Sequence, residues 1–123
     1  MSSARSAELA LRLWQAFRNR DWDAVAALVD PDATIETSLT PGRPATGAEA
    51  LVLWRTRIEE GEWAPRPVVV DELSDEVALV TGAFSAAPAA PGRHDIVTFR
   101  FRDGRLVDLR YHASAEDARS AAA

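Results

Sequence analysis

The chain has 123 residues, 47% of them apolar and 27% charged, with a net charge of −5, which fits one globular domain that buries about two-thirds of its unfolded surface without cross-links. Cysteine and lysine are absent, all fourteen basic residues are arginine, and the chain holds two histidines, His94 and His112, and one tyrosine, Tyr111. These counts exclude thiol nucleophiles, disulfides, Schiff-base lysines, the phosphate-loop lysine and a three-histidine metal site.

From Ser6 to Arg20, the apolar residues Ala10, Leu13, Trp14 and Phe17 recur at the spacing of a one-faced helix. Asp21 is placed to cap a short second helix from Trp22 to Val29, which Asp30-Pro31-Asp32 ends because proline cannot continue the hydrogen-bond ladder. In the strand Ala33 to Ser38, alternation sets Ala33, Ile35 and Thr37 on one face and Glu36 on the other. After a Pro41-Gly42-Arg43-Pro44 loop, Thr46-Gly47-Ala48-Glu49 has capping-box spacing and opens a third helix. Its apolar stripe is Ala50, Leu51, Trp54 and Ile58, and Gly61 is its natural stop.

Everything after Ala64 reads as strands: Arg66 to Leu73, Glu76 to Ala86, His94 to Arg102 and Arg105 to Ala113. Residues 114–123 read as a tail or a short helix. The whole is one α+β domain over residues 1–123, with a structured core at about 6–113 and three N-terminal helices packed on a curved antiparallel sheet.

This order, with Asp32-Ala33-Thr34-Ile35-Glu36 after a short helix, Thr46-Gly47-Ala48-Glu49 opening a third, and Phe99-Arg100-Phe101-Arg102-Asp103-Gly104-Arg105-Leu106-Val107 near the end, resembles the SnoaL-like proteins. These belong to the nuclear transport factor 2-like superfamily, with ketosteroid isomerases, limonene epoxide hydrolases and polyketide cyclases. The resemblance implies a cone with one apolar pocket. It also shows departures from the named enzymes. The isomerase general base falls on Thr37 and the isomerase helix tyrosine on Leu13. The last-strand aspartate of the hydrolases falls on Tyr111, and their Arg-x-Asp set falls within Val80-Thr81-Gly82-Ala83-Phe84.

The final hairpin decides which polar groups face the pocket. A three-residue loop of Arg102, Asp103 and Gly104 aligns Phe101 with Arg105, Phe99 with Val107, Val97 with Leu109 and Asp95 with Tyr111 on an inner face. The outer face then pairs Thr98 with Asp108 and His94 with His112. A two-residue Asp103-Gly104 loop would mix the faces, so the longer loop is the expected one. It turns Asp95 inward, where burial raises a carboxyl pKa and suits it to be an acid or base. The isomerases keep a protonated aspartate on the corresponding strand, the system used as the standard example of such a group. A gapless alignment of that strand sets their aspartate on His94.

The expected site is therefore Asp95 with Tyr111, or alternatively His94 with His112, above a lining of Trp14, Phe17, Thr37, Trp54, Ile58, Phe99 and Leu109. Three readings follow. The first is a cofactor-free isomerase, cyclase or (de)hydratase acting on an apolar, ring-containing carbonyl compound. The second is a hydrophobic-ligand binding module. The third is an association domain that uses the sheet face bearing Thr98, Arg100, Asp108, Arg110 and His112. A homodimer through that face is expected under all three. No nucleic-acid partner is expected, because the scattered arginines form no basic stripe. With no bilayer-length apolar run, no signal core and no cysteine, the expected setting is the cytoplasm, without membrane contact.

Overall fold

The computed structural model describes residues 5–37, 40, 42–62, 65, 67–82 and 96–122. The elements are α1 (Ser6–Arg18), α2 (Trp22–Leu28), β1 (Val29–Ile35), β2 (Ala45–Thr46), α3 (Gly47–Glu59), β3 (Val69–Glu72), β4 (Val77–Thr81), β5 (Ile96–Arg102), β6 (Arg105–Tyr111) and α4 (Ala115–Ala122). The strands form one sheet in the order β2-β1-β6-β5-β4-β3. The sheet is antiparallel except where β1 runs parallel to β6, so the expected antiparallel sheet is in fact mixed.

The predicted helices form for the reasons their sequences suggest. The Asp21 carboxylate accepts the Ala24 N–H at 3.2 Å and opens α2. The capping box at α3 is complete: the Thr46 hydroxyl accepts the Glu49 N–H at 3.1 Å, and the Glu49 carboxylate accepts the Thr46 N–H at 3.2 Å. Arg43 also donates to both Glu49 oxygens, at 3.2 and 2.9 Å. That guanidinium, first, and the Thr46 N–H, second, hold the Glu49 carboxyl down at about 2. Because the folded value lies below the usual carboxylate range, the contribution is complete above about pH 4.5 and is lost as pH falls toward 2. α3 ends as expected at Gly61, whose φ of +74° lets the Glu62 N–H reach the Arg57 carbonyl at 2.9 Å.

α1 has no capping side chain of its own. Its start is tied instead to the β3–β4 turn. The buried Ser6 donates its hydroxyl to the Ser74 carbonyl at 2.7 Å and its N–H to the Asp75 carbonyl at 3.1 Å, while the Glu72 carboxylate accepts the Ala7 N–H at 3.3 Å. A carboxylate at a helix N-terminus also complements the helix dipole.

α1 and α3 cover one face of the sheet. Between them the aromatic rings lock edge to face: Phe17 lies 5.3 Å from Trp54 at 90°, 5.6 Å from Trp14 at 66°, and 6.4 Å from Trp22 at 72°. Such edge-to-face contacts add to the burial of the rings themselves. Trp22 is half-buried, and the Arg55 guanidinium sits 5.7 Å above its ring. Trp63 lies outside the described residues.

Residues 114–123 take the helical alternative over most of their length. α4 crosses the opposite face of the sheet, where Ala118 is fully buried and Arg119 pairs with Asp71 at 3.7 Å. Val77 and Leu79 are therefore buried although they point away from α1 and α3.

Two substitutions test this packing. At Gly47 an added Cβ would come within 1.8 Å of the Asp30 carbonyl oxygen, a backbone atom that cannot swing aside. Gly47→Ala should therefore destabilise the fold by about 1–3 kcal/mol, the usual range for overpacking, whereas Gly61→Ala should not touch the core; equal melts for Gly47→Ala and wild type would refute the close approach. Trp54, 5% exposed, should cost about 3–5 kcal/mol when truncated to alanine, and a loss below roughly 1 kcal/mol in denaturant titration would mean that α3 is not seated as described.

Candidate functional site

The hairpin between β5 and β6 corrects the expected register. Asp103 and Gly104 have φ values of +53° and +79°, the pair required by a two-residue type I′ turn, whose twist matches that of the strands it joins. Arg102 accordingly faces Arg105, and Phe101 faces Leu106 rather than Arg105. The register then shifts by one residue, because Arg100 faces Asp108. Val107 is the extra residue of a β-bulge on β6.

Beyond the bulge, Phe99 pairs with Leu109 instead of Val107, and Thr98 with Arg110 instead of Asp108. Val97 pairs with Tyr111 instead of Leu109. The expected Asp95–Tyr111 pairing is thus overturned. The expected His94–His112 pairing is not the arrangement at His112 either, since its N–H bonds the Ile96 carbonyl at 2.9 Å and its ring nitrogen meets Thr98 Oγ1 at 2.8 Å. Asp95 and His94 themselves lie outside the described residues.

The bulge preserves the inner face that the two-residue turn alone would have scrambled. Phe99, Phe101, Leu106 and Leu109 are all buried and belong to the same core as the helix aromatics, whereas Arg105, aligned inward by the expected register, is exposed. The structure brings Trp14, Phe17, Trp54, Ile58, Phe99 and Leu109 into one cluster, with Tyr111 half-buried against it. Thr37 is half-buried just beyond the end of β1. Among the described residues the buried polar side chains are Ser6 and Thr98. Ser6 serves the α1 start, and Thr98 faces outward with His112.

Beside Tyr111 stands a group the strand alternation had set aside as outward. The Glu36 carboxylate accepts the Tyr111 N–H at 2.7 Å, and the Glu36 N–H donates to the Leu109 carbonyl at 2.9 Å. Glu36 therefore clamps the end of β6 to β1 and fixes the backbone that carries Tyr111. No local signal reveals this, because 75 positions separate the partners and the link depends on β1 lying parallel beside β6.

The described residues contain no group of three or more histidine, aspartate or glutamate side chains able to hold a metal. No helix among them is long and apolar enough to cross a membrane.

Known proteins give the same architecture. Of the solved structures, a protein described as a candidate polyketide cyclase from Pseudomonas putida superposes with a TM-score of 0.64 at 14% identity, covering 96% of this chain and 98% of its own. An LEH-like epoxide hydrolase from M. tuberculosis superposes with a TM-score of 0.56 at 15% identity, covering 95% of this chain and 85% of its own. Bal32a, from a soil-derived mobile gene cassette, is 25% identical with a TM-score of 0.56 over 91% of this chain and 93% of its own. No curated protein matches the sequence. The SnoaL-like domain profile matches residues 10–109, and the chain belongs to that family, within the nuclear transport factor 2-like superfamily.

Proposed function

We propose that this protein holds an apolar, ring-containing carbonyl compound against the face formed by Trp14, Phe17, Trp54, Ile58, Phe99 and Leu109, and moves a proton on it without a cofactor. The observation that carries this reading is the composition of that face. Six buried residues from two helices and two strands converge with no charged side chain among them, and an apolar surface oriented by a few polar groups at its border suits a small-molecule site. Thr37 and Tyr111 supply that polar border. Asp95 shares the sequence parity of the inward Val97 and Phe99 and is the proposed acid or base, with Tyr111 as a hydrogen-bond donor to the substrate oxygen. The solved relatives described as a candidate cyclase and an epoxide hydrolase act on small molecules by their names, which supports a small-molecule reaction of this broad class. Absence of cysteine suits a cytoplasmic setting.

A second reading is a binding module with the same apolar face. It is favoured by the lack of a buried titratable group among the described residues. A homodimer through the outer sheet face is compatible with both readings and would seat against α4.

The test follows exchange of the α-protons of 1-tetralone in deuterated buffer by NMR. Wild type should accelerate exchange; Asp95→Asn should lower the acceleration by at least roughly 10²-fold, and Tyr111→Phe by roughly tenfold, the loss of one hydrogen bond. Full activity in Asp95→Asn would remove Asp95 from the site. Saturable binding of 1-tetralone with no acceleration would establish the binding module instead.

A further inference from the structure

The last bond between β1 and β6 is made by a side chain where the main chain would ordinarily serve. The two strands run parallel with Ile35 opposite Leu109, and the Glu36 N–H donates to the Leu109 carbonyl at 2.9 Å. In a regular parallel ladder the next bond returns from the Tyr111 N–H to the Glu36 carbonyl, because such bonds are evenly spaced and run to and fro between the strands. Here the Tyr111 N–H donates to the Glu36 carboxylate at 2.7 Å, and β1 ends at Ile35. Ile35 is also the last residue of β1 to pair with β2, through Ala45. The carboxylate thus stands in for a ladder carbonyl, which lets β1 end there while β6 stays tied as far as Tyr111.

On its other side Tyr111 faces Val97, and the His112 N–H reaches the Ile96 carbonyl at 2.9 Å. That bond marks Val97 and Tyr111 as a non-hydrogen-bonded pair of the antiparallel ladder, so the Tyr111 N–H is turned away from β5 and toward β1. Its acceptor there is a carboxylate. Bonds to such a group are shorter and about twice as strong as bonds between neutral partners, and 2.7 Å lies at the short end of the N–H···O range. The two polar groups that border the apolar face lie on either side of this link: Thr37 follows Glu36 directly, and Tyr111 is half-buried against the aromatic core. Glu36 itself is exposed and adds nothing to the apolar lining.

We infer that Glu36 is a positioning residue of the proposed site, acting through the Tyr111 main chain to set where the Tyr111 hydroxyl meets the ligand carbonyl. This rests on the reading of Tyr111 as a donor to that oxygen. A donor helps only when it is held where charge develops on the oxygen, and a misplacement of about 1 Å can cost rate heavily. Loosening the end of β6 therefore lowers turnover more than affinity, since the apolar face that binds the rings is unaltered. The link asks for an acceptor at that place, so an amide oxygen serves nearly as well as a carboxylate.

The experiment compares wild type, Glu36→Ala, Glu36→Gln, Tyr111→Phe and the double variant Glu36→Ala with Tyr111→Phe, first without ligand. Because Glu36 is exposed, neither of its substitutions opens a cavity in the core. Glu36→Ala should lose the hydrogen-exchange protection of the Tyr111 amide and move the Tyr111 ring resonances, while the amides of β4 and β5 keep theirs and Glu36→Gln retains both. In the 1-tetralone assay Glu36→Ala should lower kcat roughly tenfold with KM unchanged, and Glu36→Gln should recover all but about threefold. Added to Tyr111→Phe, Glu36→Ala should cost nothing more, because a residue acting only through the Tyr111 hydroxyl has nothing left to position. An unchanged Tyr111 amide and ring in Glu36→Ala, or losses that multiply in the double variant, would overturn the inference. A wild type that neither binds 1-tetralone nor exchanges its protons would sink the proposed function, and the ligand-free spectra then decide by themselves whether Glu36 holds Tyr111.

Discussion

One inserted residue decides what each face of this sheet can be. A strand pair joined by a two-residue turn keeps strict alternation, and a slip of one position exchanges its faces. Carried the full length of the hairpin, the Asp103-Gly104 turn would set Phe99 against Asp108 and Val97 against Arg110, bringing charged side chains toward the core. Burying an unpaired charge costs far more than a strand gains from regular pairing. The bulge at Val107 absorbs the offset within one residue, so that Leu106 and Leu109 both reach the core while Asp108 and Arg110 stay outside. The turn chemistry and the burial pattern are then both satisfied, at the expense of one regular ladder position.

From that constraint the two halves of the molecule follow. The inner face of β5 and β6 meets the edge-to-face rings of Phe17 and Trp54, and α3 is pressed so close to β1 that Gly47 leaves no room for a side chain over Asp30. The outer face gathers arginines, aspartate and a histidine, and α4 shields Val77 and Leu79 beside them. Glu36 and the parallel pairing of β1 with β6 join the first strand of the chain to the last. The fold by itself leaves the chemistry open, since one architecture hosts many reactions. The feature that bears on it is the buried aromatic interior, which among the described residues carries no buried charged side chain.

Much of this was readable from local patterns. The α1 and α3 stripes, the Asp21 cap, the Thr46–Glu49 box and the Gly61 stop each depend on residues within a turn or two of one another, and each forms as its spacing implies. The burial of Trp14, Phe17, Trp54, Ile58, Phe99 and Leu109 in one core was legible for the same reason. What the sequence hid is long-range or competitive. Asp-Gly favours the short turn, while the apolar pattern favours the parity of the longer one, and a bulge reconciles them without any residue that announces it. The parallel β1–β6 pair, the Glu36 clamp, the two-residue β2 and the seating of α4 depend on partners far away in the chain, for which a single sequence carries no signal.

The hairpin register therefore carries the account, and it can be observed directly. In the NMR spectrum of the intact protein, cross-strand contacts between the backbone protons of Val97 and Tyr111 and of Phe99 and Leu109 should appear, with Thr98 opposite Arg110. Contacts joining Val97 to Leu109 and Phe99 to Val107 would mean that there is no bulge, that Val107 belongs to the interior, and that the division of the sheet into an apolar and an arginine-rich face is wrong.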